Sequence, residues 1–156
     1  MMFSLPMDVM LHQTYANYCD IHNEIISDIQ YQIECAFASQ EQIQNQKLNS
    51  LVDLGNEILM MLYREILNKD PSRDVWMRVI CMYMNIEEIM NNVRAIYENP
   101  YNYTNEIFCN VVNSLIKHLN NTLITFDLWK KLYDRINEFC ITLREFEAII
   151  AIKINC

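Results

Sequence analysis

The stretch 48–66, LNSLVDLGNEILMMLYREI, places apolar residues at the spacing of one helix face. These residues are Leu48, Leu51, Val52, Ile58, Leu59, Leu62 and Ile66. Spacings of three and four residues indicate an amphipathic helix that turns an apolar stripe toward a core. Gly55, the only glycine of the chain, lies on the same face. Because glycine weakens a helix by about 0.5–1 kcal/mol relative to alanine, we expect Gly55 to permit a close approach by another helix.

The rest of the chain shows the same helical periodicity between a few interruptions. A capping-box pattern at SQEQ, Pro71 in KDPSRD and the stretch ENPYNYT separate the segments. The scarcity of Gly and Pro disfavours β-hairpins. We therefore predict an all-α globular bundle of about seven helices in a single domain, residues 1–156, around a hydrophobic central helix. The expected segments are 6–20, 22–38, 42–68, 73–97 (the central helix), 104–124, 126–138 and 139–153.

The composition excludes several classes of function. The chain of 156 residues is 52% hydrophobic and 21% charged, which is typical of a globular protein. Its net charge of −8 and its lack of a basic cluster argue against a nucleic-acid partner. One glycine cannot build a phosphate-binding loop or a nucleophile elbow. Cys19 and His22 have a spacing open to a metal, but two ligands do not make a site. We expect no catalytic site, metal, cofactor or small-molecule substrate.

The cysteines and the N-terminal sequence predict a cytoplasmic protein. The six cysteines are scattered and include no CxxC pair. The first residues, MMFSLPMDVM, lack the basic and apolar regions of a secretory signal. No run of 18 apolar residues is present, so we expect no transmembrane anchor. The cysteines are therefore interpreted as reduced thiols.

Two stretches resemble homology motifs of the Bcl (B-cell lymphoma-2) family of apoptosis regulators. In REILNKDPSRDVWMRVICMYMNIEEIM, the tetrad Val75-Trp76-Met77-Arg78 is similar to the Asn-Trp-Gly-Arg that opens the family's central helix. In VVNSLIKHLNNTLITFDLWKKLYDRI, Trp129 matches the Trp that opens a short helix in the second motif. Met77 replaces the family's Gly, and no Gly pair precedes Trp129. These departures are similar to those of divergent viral pro-survival members.

The resemblance implies an inhibitor of apoptosis. Segments 22–38 and 42–68 and the start of 73–97 would form a hydrophobic groove for the amphipathic death helix of a host pro-apoptotic protein. Arg78 would pair with the ligand's aspartate, or alternatively with Asp74 of its own helix. Met77 would narrow the range of ligands. The expected groove residues are Ile29, Ile33, Leu62, Glu65, Ile66, Asp74, Met77, Arg78 and Cys81, and the expected structural residues are Gly55, Trp76 and Trp129.

Segment 42–68 has two alternative places in such a fold. LVDLGNEILMMLYREIL also resembles the family's third homology motif, the death helix, with Leu51, Gly55, Asn56 and Glu57 at its marked positions. The short interval between Gly55 and Trp76 instead favours this segment as the fourth helix, with 22–38 as the second. In both interpretations Gly55 lies on the apolar face.

Other functions are compatible with the same sequence. Viral proteins of this fold also inhibit inflammatory transcription signalling by binding host adaptor proteins. A secreted helical cytokine mimic with disulfides is a further alternative, opposed by the missing signal sequence. The family resemblance is compatible with homodimerisation through apolar faces and with peripheral association with mitochondria through partners.

Overall fold

The computed structural model describes the backbone of residues 26–155 and the side chains of residues 41–155. This part of the chain is all-helical, as predicted, and the expected first helix, 6–20, lies outside it. None of its helices is long and apolar enough to cross a bilayer. The four α-helices are α1 (Ile26–Met61), α2 (Arg73–Glu98), α3 (Cys109–Asn120) and α4 (Phe126–Asn155).

The described chain forms fewer and longer helices than expected. Segments 22–38 and 42–68 meet in the single helix α1, and segments 126–138 and 139–153 meet in α4. The expected count of about seven helices is not confirmed. Neither junction contains Gly or Pro, the residues that end helices most strongly. In α4 the buried residues continue through the junction at helical spacing: Leu132, Ile136, Phe139, Leu143, Phe146 and Ile150.

Helix α1 ends in a change of helical pitch. It runs into a π-helical turn, Leu62–Ile66, and then into a 3-10 turn, Leu67–Lys69. Asp70 follows in the left-handed conformation, with φ of 54°, which aspartate adopts more readily than most other non-glycine residues. Pro71 then prevents the helix from continuing. The KDPSRD stretch therefore ends the helix as the sequence predicted.

Helices α1 and α4 pack along each other in antiparallel orientation. Three ion pairs join them, and the residue number of the α4 partner falls as that of the α1 partner rises. They are Glu41–Lys153 at 2.9 Å, Lys47–Glu145 at 3.1 Å and Glu57–Arg135 at 2.7 Å. Four large apolar residues of these two helices are almost completely buried: Leu51 and Ile58 of α1, and Phe139 and Phe146 of α4. The apolar burial supplies the stability of this pairing, because exposed ion pairs contribute little.

Helix α2 packs against α1 and α3 through one stripe and not on all sides. Its buried residues are Val75, Val79, Met82, Ile86, Ile89, Met90, Val93 and Ile96. On its outer face Trp76, Met77 and Met84 are 47%, 51% and 61% exposed. The expected hydrophobic central helix therefore leaves an outer face to solvent. The apolar residues in the first turns of this helix lie partly in the core and partly at the surface.

Gly55 marks the closest approach of α1 and α2. A Cβ at this position would meet the sulfur of Met90 and would lie 3.0 Å from its Cγ. Met90 is itself buried, with 6% of its surface exposed. Gly55 therefore leaves the room that the Met90 side chain occupies in the interface.

Helix α3 is shorter than the expected 104–124 segment. Residues 105–108 form tight turns, in which the N–H of Ile107 donates to the carbonyl of Thr104 and that of Cys109 to Glu106. Phe108 is buried just before the first residue of the helix. The Asn85 amide of α2 donates to the Ser114 hydroxyl of α3 at 3.0 Å and fixes the two helices side by side.

We expect Gly55→Ala to lower the free energy of unfolding by about 1 kcal/mol. The new methyl group would overpack the Met90 site by about 1–3 kcal/mol and would recover about 1 kcal/mol of helix propensity. In a Met90→Ala background the same substitution should instead raise the free energy by about 1 kcal/mol. Urea unfolding of the four proteins of this double-mutant cycle measures the coupling. Equal effects of Gly55→Ala in both backgrounds would contradict the contact.

Candidate functional site

A surface concavity of about 530 Å³ lies between the start of α2 and the end of α3. Its α2 side contains four residues of the expected groove, and its α3 side adds residues from the helix end and the loop that follows. The lining residues are Asp74, Val75, Met77, Arg78, Cys81, His118, Asn121 and Leu123.

The α2 side is positioned by the first turn of the helix. The Ser72 hydroxyl accepts a hydrogen bond from the N–H of Val75 at 3.4 Å, and the Ser72 carbonyl accepts one from Trp76 at 2.8 Å. Serine at this position satisfies N–H groups that the helix leaves without partners. With the first turn fixed, residues 74, 77, 78 and 81 share one face of α2.

The α3 side is positioned by bonds that close the helix end. The Asn121 amide donates to the Lys117 carbonyl at 2.9 Å, and the Thr122 hydroxyl donates to the His118 carbonyl. Thr122 is buried, with 7% of its surface exposed. These bonds satisfy carbonyl groups at the end of the helix and hold the loop against it. His118 and Leu123 are thereby held opposite the first turns of α2.

Arg78 and Asp74 are the charged side chains of the concavity lining. Arg78 makes no ion pair with any described residue, so the expected alternative pairing with Asp74 is absent from this structure. His118 Nδ1 is buried and has no hydrogen-bond partner among the described residues. Burial lowers the pKa of His118, and the positive charges of Arg78 and Lys117 lower it further. Arginine in such a setting has the geometry to bind a carboxylate through two parallel hydrogen bonds.

The structure brings together only part of the expected groove. Asp74, Met77, Arg78 and Cys81 line the concavity, whereas Leu62 and Ile66 are 0% and 4% exposed. These two residues are core residues because α1 packs directly on its neighbours, so their expected place in a ligand groove is wrong.

The remaining groove residues fall elsewhere. Glu65 lies at a different concavity, where it lines the surface with Glu57 and Arg135, and it pairs with Lys69 at 3.7 Å. The side chains of Ile29 and Ile33 lie outside the described residues. The expected groove between 22–38, 42–68 and 73–97 therefore does not form between the described parts of α1 and α2.

The two tryptophans occupy surface positions. Trp76 is 47% exposed and does not line the Arg78 concavity. Trp129 lies in the first turns of α4, partly buried, and stacks on Phe126 and Tyr133 with ring centroids 6.2 Å and 5.1 Å away. Trp129 was expected to open a short helix, but it is the fourth residue of a helix of 30 residues that begins at Phe126.

His118, Asn121 and Leu123 were not among the expected groove residues. His118 immediately precedes the buried Leu119. Its proximity to Arg78 depends on how α3 packs on α2, which periodicity does not encode. Residues 121–123 were expected inside the helix 104–124, but the helix ends at Asn120.

A second concavity, of about 350 Å³, lies between α3 and the middle of α4. Cys109, Cys140, Arg144 and Glu147 line it together with apolar residues. The Tyr103 hydroxyl donates to Glu147 Oε1 at 3.0 Å, which ties the loop before α3 to α4. Burial raises the pKa of Glu147, while the hydrogen bond from Tyr103 and the charge of Arg144 oppose that rise.

The described residues contain free thiols and no cluster of metal ligands. Cys81, Cys109 and Cys140 are unpaired, while the side chains of Cys19, Cys35 and Cys156 lie outside the described part. Burial raises the pKa of Cys140 to about 11. Within this part no group of three or more His, Cys, Asp or Glu side chains could hold a metal. The Cys19 and His22 pair also lies outside the described residues.

The fold and site define an all-α bundle with a surface concavity that contains Arg78 and His118. Comparisons with protein-family models, with curated proteins and with solved structures give no significant match. The resemblance to the Bcl family rests on the two sequence motifs and stays a prediction.

We expect Glu147→Gln to raise the unfolding temperature at neutral pH. Because the folded-state pKa of Glu147 lies above its usual value of 4.5, ionisation of the carboxyl costs stability as the pH rises through that range. Glutamine keeps an acceptor for Tyr103 and removes the charge. Thermal unfolding between pH 4 and pH 8, with the exposed Glu98→Gln as control, should show an advantage that shrinks toward low pH. A pH-independent difference would exclude Glu147 titration as the cause.

Proposed function

We propose that this protein inhibits apoptosis by binding the amphipathic death helix of host pro-apoptotic proteins at the Arg78 concavity. The observation that carries the proposal is Arg78 itself, a cation with no ion pair among the described residues at the edge of an apolar surface. The resemblance to the Bcl family assigns to Arg78 the role of pairing with the ligand's aspartate. A helical ligand suits this site because a helix can present apolar side chains one turn apart on either side of a single aspartate.

The charge requirement supports a carboxylate on the ligand. An arginine that is partly removed from water gains most from a bidentate acceptor. Asp74 lines the same concavity but makes no ion pair with Arg78, which leaves the guanidinium available. The ligand's aspartate would complete this interaction, with His118 beside it.

The apolar side chains around Arg78 supply the second part of recognition. Met77 and Leu123 are 51% and 82% exposed, and both line the concavity. Covering such side chains stabilises a complex by about 25 cal/mol per Å² of buried apolar surface. Methionine adapts its shape to different anchors, so Met77 would tune the range of ligands and not close the site.

Arg78→Ala should weaken the binding of death-helix peptides by about 10–100-fold, the loss expected for a hydrogen bond to a charged group. Titration of fluorescent peptides with the purified protein measures this loss. Arg94→Ala is the matched control, since Arg94 lies on the exposed face of the same helix. Submicromolar binding that both variants retain equally would remove Arg78 from the mechanism. Absence of binding by the unmodified protein would reject the anti-apoptotic proposal.

Peptide affinity should rise as the pH falls through about 6.5, the usual pKa of histidine, and below it, by at most about tenfold per pH unit. In the free protein the pKa of His118 is lowered by burial and by Arg78 and Lys117. A bound carboxylate offsets those charges, so the complex favours protonated His118. Asp74 and Cys81 also line the concavity. They are unchanged in a His118→Asn variant, so any contribution that they make to the pH dependence cancels when that variant is compared with the unmodified protein.

His118→Asn is the test of this pH dependence. Asparagine keeps a polar side chain but does not titrate. The slope of affinity against pH should disappear in the variant while binding at pH 8 is retained. An unchanged slope would assign the pH dependence to the peptide or to another group.

A second candidate is inhibition of inflammatory signalling through host adaptor proteins. The burial of Leu62 and Ile66 favours it, because it removes the expected apolar wall between α1 and α2. Such a protein would use an outer helix face. Failure of every death-helix peptide to bind, together with co-purification of an adaptor protein, would support this candidate. Cytoplasmic location, homodimerisation and association with mitochondria through partners remain predictions.

A further inference from the structure

One end of the bundle collects most of the positive charge of an acidic protein. We call it the basic end: residues 62–78, which join α1 to α2, and residues 117–135, which join α3 to α4. These two ranges carry eight of the twelve Lys and Arg residues and five of the twenty Asp and Glu residues. These two ranges therefore have a net charge of +3, or +2 when the adjacent Glu57 that pairs with Arg135 is included, in a chain whose net charge is −8.

The basic end is one continuous surface in space. The Arg78 concavity brings the start of α2 against the end of α3. Another concavity brings Glu57, Met61 and Glu65 of α1 and its π-helical turn against the start of α4. The short connection after Lys69 joins the two sides.

Most of its cations are not neutralised by local carboxylates. Lys69, Lys130 and Arg135 make ion pairs. The other cations make none with any described residue, and all but the half-buried Arg78 are exposed: Arg64, Arg73, Arg78, Lys117 and Lys131. The positive charge is thus available to an external partner.

Large apolar side chains project from the same end. Leu123 and Phe126 are 82% and 73% exposed, the highest values among the exposed aliphatic residues and phenylalanines described. Trp76, in the first turn of α2, is 47% exposed. Phe126 also begins the stack that continues to Trp129 and Tyr133. Exposed apolar side chains among cations mark an interaction surface.

We propose that the basic end binds the surface of a membrane that contains anionic phospholipids. Leu123 and Phe126 would enter the boundary between headgroups and acyl chains, while Lys117 and Lys131 contact the lipid phosphates and carboxylates. Trp and Tyr side chains, which have an apolar body and a polar tip, suit that boundary.

The arrangement fits a lipid surface better than an acidic protein. Leu123 lies in the loop at the Arg78 concavity and Phe126 in the first turn of α4, and both side chains stay largely exposed, so no pocket among the described residues encloses either of them. A fluid bilayer accommodates such projections without a complementary pocket, whereas a protein partner needs matched packing. The inference goes beyond the proposed function and does not depend on it.

Vesicle binding tests the proposal with the full chain. Vesicles of phosphatidylcholine with about 30% phosphatidylserine should sediment the protein at low salt, and pure phosphatidylcholine vesicles should not. Raising the salt from about 0.05 M to about 0.5 M should release it, since the interaction is screened. The chain has two tryptophans, both at the basic end, so their fluorescence should shift to shorter wavelength on binding.

Two pairs of variants separate the charge from the apolar contribution. Lys117→Glu with Lys131→Glu should weaken binding by at least about tenfold. Arg94→Glu with Arg144→Glu changes the total charge equally outside the basic end and should have a much smaller effect. Leu123→Ser with Phe126→Ser should abolish the fluorescence shift, while Met84→Ser with Ile141→Ser, also exposed positions, should not.

Three results would overturn the proposal. One is the absence of sedimentation with the anionic vesicles at low salt. The second is equal weakening by both charge pairs, which would make the effect one of net charge alone. The third is salt-sensitive binding to polyglutamate without binding to vesicles, which would assign the basic end to an acidic protein. Circular dichroism of each variant verifies that the fold is retained.

Discussion

Helix α1 is the element on which the rest of the described structure depends, because two other helices pack against it. Gly55 leaves space for Met90 of α2, while Glu57, close by in the chain, pairs with Arg135 of α4. One helix therefore sets the positions of α2 and α4 at once. Helix α3 packs on this framework mainly through α2. The Arg78 concavity lies between the start of α2 and the end of α3. A change in α1 would reach the concavity through α2.

The helical class and the position of α2 could be predicted from the sequence. Periodicity, the near absence of Gly and Pro and the break at Pro71 all depend on local chemistry, which a sequence displays directly. The expected divisions of α1 and α4 were wrong because they also relied on local signals alone. Capping patterns such as SQEQ tell where a helix could start, but a continuous apolar stripe kept Phe139 and its neighbours in one helix. Tertiary burial overrode a local signal.

The site was predicted only in part, because a groove is formed by helices that are distant in sequence. Asp74, Met77, Arg78 and Cys81 share one face of α2 and line one concavity, and the family resemblance had implied that they would lie in one groove. Their neighbours were not predicted: the face turned out to meet His118 of α3 and not Leu62 of the preceding helix. Leu62 has the same apolar character whether it lines a groove or lies in a core, and only the packing of α1 distinguishes the two.

The antiparallel pairing of α1 and α4 has a consequence for how the chain acquires its structure. Its ion pairs join residues 98 and 112 positions apart, so the first described helix meets its partner only after α4 has been synthesised. Closing such long loops slows folding, and until then the apolar stripe of α1 is open to other contacts. On the ribosome, α1 can pack on α2 through the Gly55 contact before α4 is made, whereas its α4-facing residues stay uncovered until the last helix emerges and are the part most suited to chaperone binding.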